Sequence, residues 1–235
     1  MSKKESGPAI TLIVEMNTGK ATIDIDLVPV FAFFPEKQLK GYPQVWTNIC
    51  NPEWLQKHGR ERRQKISNAL MNKRFFIVPK PTQLESQWRL DFHDAEIELI
   101  KDFGIAKPVI KSLKLFRDCN VELKSSSRQD RLASYYLKTI VMEMIKNHPE
   151  DDWRQGREAE YFLKALKYLM KKLNDGKIEY FFDGNSNLLS KMPRTVVLDM
   201  ENFLKKVIPQ LEMSQNTDQC KSVWLKYFNN GNCIY

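Results

Sequence analysis

ITLIVEMNTGKATIDIDLVPVFAF, residues 10–33, has the composition and spacing of two β-strands joined by a turn. Its two runs rich in β-branched residues, ITLIVEM (10–16) and ATIDIDLVPVFAF (21–33), are typical of strands. The intervening NTGK (17–20) contains glycine, which readily adopts the positive φ of many hairpin turns. Residues 10–33 therefore predict an antiparallel hairpin. Its second strand lies near a sheet edge or ends at Pro29, because proline has no N–H to donate to a neighbouring strand.

The second strand of this hairpin carries a pair of carboxylates. Asp24 and Asp26 belong to the same strand face, because side chains alternate with a period of two. Carboxylate oxygens are ligands that Mg²⁺ and Mn²⁺ prefer, and such ions commonly act together with substrate phosphates. A solvated strand face accounts for the same D-x-D pattern, so the pair alone leaves both interpretations open.

Beyond the hairpin the pattern changes from strand-like to helical near residue 100. FFIVPK (75–80) is typical of a short strand, and WRLDFHDAEIELIKDF (88–103) begins extended and becomes helical. Apolar residues at helical spacing then predict four further helices, at residues 107–119, 130–147, 157–173 and 195–211. We therefore expect an α+β fold with two lobes, residues 1–100 and 101–235.

The overall composition excludes several classes of protein. Apolar residues make up 42% of the 235-residue chain, which excludes disorder as a whole-chain interpretation. No apolar run reaches the about 18 residues that a membrane span needs. The first ten residues, MSKKESGPAI, contain no apolar signal core, so we expect a cytoplasmic protein.

The cysteines and histidines do not form a zinc pattern. No two of the four cysteines are spaced as C-x-x-C, and only three histidines are present to complete a site. We therefore expect no zinc, and reduced thiols throughout. The sequence also lacks the P-loop, G-x-G-x-x-G and G-x-S-x-G motifs, so neither a P-loop nucleotide site nor a hydrolase triad is favoured.

Positive charge concentrates in one helix-like segment. The whole chain has a formal net charge of +8, and residues 57–74 carry seven Lys or Arg against one Glu. Clustered cations of this kind attract polyanions such as nucleic acids, although a solvated helix face gives the same pattern. If the segment binds nucleic acid, the residues expected to contact phosphates are Lys57, Arg60, Arg62, Arg63 and Lys65.

A second group of residues suits a nucleotide. Ser134 and Lys138 are neighbours on a predicted helix, because they are four positions apart, and Tyr135 lies beside them. A hydroxyl and an ammonium can bind phosphate at a helix start, while an aromatic ring can stack on a base. A helix cap followed by a core tyrosine would explain the same residues.

Seven blocks of the sequence, in order, resemble the cyclic GMP-AMP synthase-like receptors of the male abnormal 21-like family of nucleotidyltransferases. The resemblance covers roughly residues 10–190, and its blocks are ITLIVE…IDIDLVPVF, FFIVPK, WRLDFHDAE, VIKSLKLF, SYYLKT, NHPEDDW and YFLKALKYLMKKLNDGKIEYFF. It implies a partial nucleotidyltransferase sheet followed by a C-terminal helical bundle. It also implies an innate immune sensor that joins ATP and GTP into a cyclic GMP-AMP-like product, with Mg²⁺ or Mn²⁺ as cofactor and double-stranded RNA or another nucleic acid as activator.

The resemblance assigns roles to residues of the first lobe. Asp26, in IDIDLVP, matches the third metal-binding and catalytic carboxylate of the family, with Asp24 as the runner-up. Arg89 matches the residue that reads the acceptor base. Asp91 and His93 stand where many relatives have Ser at base-contacting positions, and Glu96 matches an acid near the donor nucleotide.

Residues of the second lobe are matched in the same way. Lys114, in KSLKLF, matches a phosphate-contacting lysine. Ser134 and Tyr135 match a phosphate-binding serine and a base-stacking tyrosine, and Lys138 matches the lysine one turn later. The resemblance and the residue chemistry therefore indicate the same nucleotide site.

The sequence also departs from the family pattern in two places. LIKDFGIAKPVI (99–110) lacks the His/Cys insertion of the vertebrate enzyme, as in the zinc-free invertebrate-type branch. No Gly-Ser followed by a carboxylate pair precedes residue 10. We therefore expect a fragment, a truncated gene product or a member without its first lobe, inactive by itself. The alternative is a non-catalytic developmental or interaction module with the same fold.

Overall fold

A computed structural model describes thirteen segments of the chain. They are residues 2–6, 9–15, 22–33, 56–57, 59–61, 63–64, 67, 74–79, 88–123, 132–148, 152–182, 186–214 and 220–228. The chain divides into two compact units, the first formed by residues 1–50 and 64–98 and the second by residues 51–63 and 99–235. The first unit contains strands and the second is helical, so the fold is α+β, as expected.

The first sheet of the first unit contains the predicted hairpin strands. It has the antiparallel order β1 (Ser2–Ser6), β2 (Ala9–Glu15) and β3 (Thr22–Leu27). In the β2–β3 register Ile13 pairs with Asp24 and Thr11 pairs with Asp26. The two strands are thus confirmed, and the turn predicted at 17–20 lies outside the described residues. Strand β1 was not expected, because its sequence SKKES does not alternate apolar and polar residues. It forms by backbone pairing with β2.

The predicted strand 21–33 is two strands that belong to different sheets. Strand β3 ends at Leu27, and residues 28–30 around Pro29 make no ladder, as expected where an N–H is missing. The chain then enters a second antiparallel sheet with the order β4 (Phe31–Phe33), β5 (Phe75–Pro79) and β6 (Trp88–Asp91). A helix, α1 (His93–Lys101), follows directly, so the predicted change from extended to helical within 88–103 is confirmed.

The second unit is a bundle in which the four predicted helices all form. They are α2 (Ala106–Cys119), α3 (Ser134–Asn147), α4 (Glu158–Asn174) and α5 (Arg194–Ser214), followed by α6 (Cys220–Phe228), which was not predicted. Helix α4 packs against α2, α3 and α5, while α6 packs against α2 and α5. Helix α2 illustrates the sequence pattern, because Val109, Ile110, Leu113 and Phe116 are buried at helical spacing.

Helix α6 is attached to the end of α2 by aromatic and polar contacts. The ring of Phe116 lies 5.6 Å from that of Phe162 on α4 and 5.7 Å from that of Phe228 on α6. The buried Asn120 side chain donates to the Phe116 carbonyl at 2.6 Å and to the Tyr227 carbonyl at 3.1 Å. Cys119 is disulfide-bonded, so the expectation that every thiol is reduced is wrong at this residue. No helix in the described parts of the chain is long and apolar enough to cross a bilayer.

Candidate functional site

The start of helix α3 has the features of an anion-binding helix terminus. Ser134 is its first residue, and the N-cap is Ala133, with extended dihedrals of φ −64° and ψ 150°. No side chain within the described segments caps this end of the helix. The interpretation of Ser134 as the helix cap is therefore wrong. The N-terminal N–H groups and the helix dipole place partial positive charge here, which favours a bound anion.

Arg117 of α2 is bound to the side chain that opens α3. Its guanidinium Nη1 donates to the Ser134 hydroxyl oxygen at 2.9 Å and to the Leu132 carbonyl at 3.1 Å. Its Nε donates to a carboxylate oxygen of Asp118 at 2.8 Å. Arg117 is only 6% exposed, so these contacts replace water as its hydrogen-bonding partners. Sequence reasoning did not single out Arg117, although it lies one turn beyond Lys114 on the same helix.

Three cations of α2 and α3 are close enough to influence one another electrostatically. The pKa of Lys114 is lowered from its ordinary value of 10.5, first by burial and then by the positive charges of Lys138 and Arg117. The negative charge of Asp118 opposes this shift. Helices α2 and α3 thus bring Lys114, Arg117 and Lys138 into one field of positive charge, in which a bound anion would relieve the mutual repulsion.

The aromatic part of this site contains a second tyrosine. The rings of Tyr135 and Tyr180 are stacked, with centroids 5.7 Å apart and planes inclined by 27°. The ammonium of Lys138 lies 5.6 Å from the centroid of the Tyr135 ring, within the range of a cation–π contact. Tyr180 was not a sequence candidate, and the signal that was overlooked is the aromatic run YFF at 180–182.

We refer to these residues together as the α3 cluster. Its members are Lys114, Arg117, Ser134, Tyr135, Lys138 and Tyr180, and all belong to the second unit. Four of them were candidates from sequence. A phosphate group suits the hydroxyl, the cations and the helix terminus, while a purine or pyrimidine base suits the tyrosine rings.

A buried polar network holds α3 against α4. Glu143 is 5% exposed, its carboxylate lies 2.5 Å from the Lys172 ammonium, and it accepts a hydrogen bond from the Tyr168 hydroxyl at 3.1 Å. Asn147 in turn donates to the Tyr168 oxygen at 2.7 Å. Burial, followed by the negative charge of Glu143, raises the pKa of Tyr168 to about 12, so the hydroxyl keeps its proton. The network therefore fixes the helix whose start carries Ser134 and Tyr135.

The site residues predicted in the first unit differ in their exposure and in the contacts that they make. Arg89 pairs with Val78 in the β5–β6 ladder, and its side chain lies outside the described set. The Asp91 carboxylate accepts a hydrogen bond from the backbone N–H of His93 at 3.0 Å, which starts helix α1. His93 is exposed and Glu96 is 4% exposed. Asp91 thus has a structural contact that the sequence did not indicate.

Two other groups of candidates fall partly outside the described residues. Asp24 and Asp26 are placed in β3 by their backbone only. Among the side chains that the structure describes, no three His, Cys, Asp or Glu residues are close enough to hold a metal ion. In residues 57–74, which we call the basic segment, Lys57 and Arg60 are exposed, whereas Arg62 and Lys65 are outside the described residues. Arg63 donates to the Gln56 side-chain oxygen at 2.7 Å.

Comparison with known families accounts for both units. Residues 1–102 match the Mab-21 protein nucleotidyltransferase domain, and residues 105–206 match the Mab-21 protein HhH/H2TH-like domain. The chain belongs to the Mab-21 family. Its membership agrees with the order of the seven sequence blocks and with the change from strands to helices near residue 100.

Several curated proteins resemble this Mab-21 family member over most of its length. It is 30% identical to a cyclic GMP-AMP synthase-like receptor from Ctenocephalides felis, over 94% of this chain and 47% of that protein. It is 31% identical to a protein of the same name from Aethina tumida, over 91% of this chain and 47% of the relative. Cyclic GMP-AMP synthase from Mus musculus is 25% identical over 88% of this chain and 41% of the mouse protein. The chain thus spans less than half the length of these relatives.

Proposed function

We propose that this chain carries the nucleotide-binding residues of a cyclic-dinucleotide-forming nucleotidyltransferase. Its substrates are ATP and GTP, its product is similar to cyclic GMP-AMP, and its role is that of a cytoplasmic innate immune sensor of nucleic acid. The observation that carries the proposal is the grouping of polar and aromatic side chains at the start of α3. The Lys138 ammonium lies over the Tyr135 ring, Arg117 donates to the Ser134 hydroxyl, and both cations act electrostatically on Lys114. In this proposal residues 1–100 form part of the catalytic lobe and residues 101–235 form the helical lobe.

Each group of the α3 cluster suits a different part of the nucleotide. Lys114 and Lys138 bring positive charge to the phosphates, and the Ser134 hydroxyl donates a hydrogen bond to a phosphate oxygen. The Tyr135 ring provides a flat surface on which a base stacks, an interaction worth about 1–3 kcal/mol for each base. Both kinds of contact occur at one helix terminus, so a molecule that combines triphosphate with base fits better than either part alone.

The first unit supplies the remaining proposed roles. Asp26, with Asp24 as the alternative, is the carboxylate that would hold Mg²⁺ or Mn²⁺, an ion that neutralises charge on the phosphates. Asp26 also accepts the proton of the attacking ribose hydroxyl. Arg89, Asp91, His93 and Glu96 remain proposed nucleotide contacts, as the resemblance implies.

The basic segment is the proposed surface for the activating nucleic acid. Lys57 and Arg60 are exposed and three positions apart in the sequence, so their cationic ends are available to a phosphate backbone. Arg63 is half-buried and contacts Gln56, which leaves it a smaller share in binding than its neighbours. Arg62 and Lys65 complete the proposed surface. Double-stranded RNA or another nucleic acid is the proposed ligand, because contacts with backbone phosphates do not depend on base sequence.

Titration of the 235-residue chain with ATP tests nucleotide binding at the α3 cluster. We expect a dissociation constant on the order of 1 mM, equivalent to roughly −4 kcal/mol, with amide NMR shifts at 114 and 134–138. Tyr135→Ala should abolish these shifts, while Lys206→Gln, a change at an exposed helical lysine of the same unit, should leave them unchanged. Shifts confined to residues 57–74 would show that ATP acts only as a counterion for the basic segment.

A further inference from the structure

We propose that Arg117 is a positioning residue that fixes the Ser134 hydroxyl as a hydrogen-bond donor to a nucleotide phosphate. The inference rests on the proposed function, because it assigns a role within the same α3 cluster. Neither the residue patterns of the sequence nor the resemblance indicated Arg117. Its role follows from the hydrogen bonds of its guanidinium and from its burial.

Counting donors and acceptors at Ser134 gives the direction of the hydroxyl proton. A serine hydroxyl has one hydrogen to donate and two lone pairs, and a guanidinium has donors only. Since Arg117 Nη1 donates to the Ser134 oxygen at 2.9 Å, that contact occupies a lone pair and the hydroxyl hydrogen is directed elsewhere. The partner that suits this hydrogen is a pure acceptor, and a phosphate oxygen is one.

The guanidinium is held in place from several sides. The two hydrogens of Nη1 match two acceptors, the Leu132 carbonyl and the Ser134 oxygen, and Nε donates to Asp118. The residue is only 6% exposed, and arginine keeps its charge at every physiological pH. A lysine in the same position would retain the charge but not the planar fork, so it could not serve the same acceptors with the same geometry.

These contacts act on the phosphate site in two ways. Donation from a charged group polarises the Ser134 hydroxyl and strengthens the hydrogen bond that the hydroxyl itself donates. The bond to Leu132 fixes the residues that lead into α3, so the helix terminus and the hydroxyl keep a constant relative position. Arg117 therefore acts through Ser134, without needing to touch the nucleotide.

A double-mutant cycle tests the proposal, with inorganic triphosphate as the probe because it has no base to stack. The four proteins are the parent chain, Ser134→Ala, Arg117→Lys and the double variant, with binding measured by calorimetry and unfolding followed in parallel. We expect Ser134→Ala to weaken triphosphate binding about tenfold in the parent and less than about twofold in the Arg117→Lys background. Ser134→Thr keeps the hydroxyl and should bind as the parent does.

A second measurement needs no change at Arg117. The side-chain N–H signals of Arg117 should shift in NMR spectra when triphosphate binds the parent, and should stay in place in Ser134→Ala. The inference would be overturned if Ser134→Ala had an equal effect in both backgrounds, or if the Arg117 signals did not shift when triphosphate binds. Either result would leave the proposed function standing. A parent chain that binds no triphosphate at residues 114 and 134–138 would overturn both.

Discussion

The ring of Tyr180 stacks on the ring of Tyr135, with the two planes inclined by only 27°. The two residues come from different elements, because Tyr135 is in the first turn of α3 and Tyr180 follows the end of α4. The stacked contact restricts the orientation of the Tyr135 ring. If a base stacks on Tyr135 as proposed, we expect Tyr180 to support that ring from one side.

Replacing Tyr180 should weaken ATP binding while leaving phosphate binding intact. We expect Tyr180→Ala to cost about 0.5–1.5 kcal/mol of ATP affinity, the usual worth of an aromatic pair, and to leave inorganic triphosphate binding unchanged. Tyr180→Phe is the matched control, because it retains the ring. Equal losses for ATP and triphosphate in Tyr180→Ala would mean that Tyr180 supports the fold of the whole cluster instead of the base surface.

Triphosphate binding should weaken at alkaline pH, beginning below the ordinary lysine pKa. The folded chain holds the pKa of Lys114 below 10.5, so this ammonium loses its proton earlier than a solvated lysine. A bound anion favours the protonated form, and affinity therefore falls as pH rises through the lowered pKa of the free protein. Calorimetry across this range, with Lys114→Arg as the variant that keeps its charge, measures the effect. A Lys114→Arg profile identical to that of the parent would contradict the assignment.

The same pKa shift has a consequence for stability. Because the folded state lowers the pKa of Lys114, the protonated ammonium opposes folding at neutral pH, and this cost is relieved as pH rises from the lowered value towards 10.5. Lys114→Met should therefore remove the cost at neutral pH while it abolishes phosphate binding. Urea unfolding of this variant at neutral pH checks the sign, and a clear loss of stability would contradict it.

The 235-residue chain alone should make no cyclic dinucleotide. The resemblance supplies one matched carboxylate, Asp26, whereas a two-metal centre of this family uses three, and a single carboxylate would hold two ions poorly. Incubation with ATP, GTP and Mn²⁺, followed by chromatography, should give no product above background. Product that disappears in Asp26→Asn would show that the chain has a complete metal site and that the non-catalytic alternative is wrong.

Double-stranded RNA should bind the basic segment with a steep salt dependence. Each phosphate contact releases counterions, so affinity falls as salt rises. Reversing Arg60, Arg62 and Arg63 to Glu should weaken binding and flatten that dependence. Reversal of Lys171, Lys191 and Lys206, three exposed lysines of the second unit, is the control for the same change in net charge. If the basic-segment variant and the parent bind equally at every salt concentration, the segment is a solvated face.

Removing the cation that faces Glu143 should destabilise the helical unit. Lys172→Met leaves a 5% exposed carboxylate without its ion-pair partner, which typically costs about 3–5 kcal/mol of unfolding free energy. The neighbouring Lys171→Met is the control, because that lysine is exposed and such changes usually stay within about 0.5 kcal/mol. Adding Glu143→Gln to Lys172→Met should recover part of the loss in urea unfolding. A loss of equal size in Lys171→Met would point to the helix surface and not to the network.

Periodicity predicted most of the regular structure but not its edges. The apolar spacing of Val109, Leu113 and Phe116 is enough to place α2, since a buried helical stripe leaves a strong pattern. The segments SKKES (2–6) and CKSVWLKYF (220–228) have no such pattern over a useful length, so neither β1 nor α6 was expected. Pro29 indicated a strand end, but the entry of Phe31 into a different sheet depends on long-range pairing.

The candidate site was predictable where its residues share one helix. Ser134 and Lys138 are joined by helical geometry alone, and their grouping follows from the sequence. Arg117 and Tyr180 join them through tertiary folding, from 17 residues before Ser134 and 45 residues after Tyr135. Sequence spacing does not reveal such contacts, because it does not show which distant segments pack against the start of α3.

The contacts of α6 bear on how the helical unit should be produced in isolation. The family match of the second unit ends at residue 206, before the last turns of α5 and before all of α6. A piece cut there would lose Phe228 and the Tyr227 carbonyl, so it would expose the otherwise buried Phe116 ring and leave Asn120 without one of its acceptors. An expressed fragment that extends to residue 228 keeps the apolar C-terminal end of α2 buried. Such a fragment should therefore aggregate less than one that ends at residue 206.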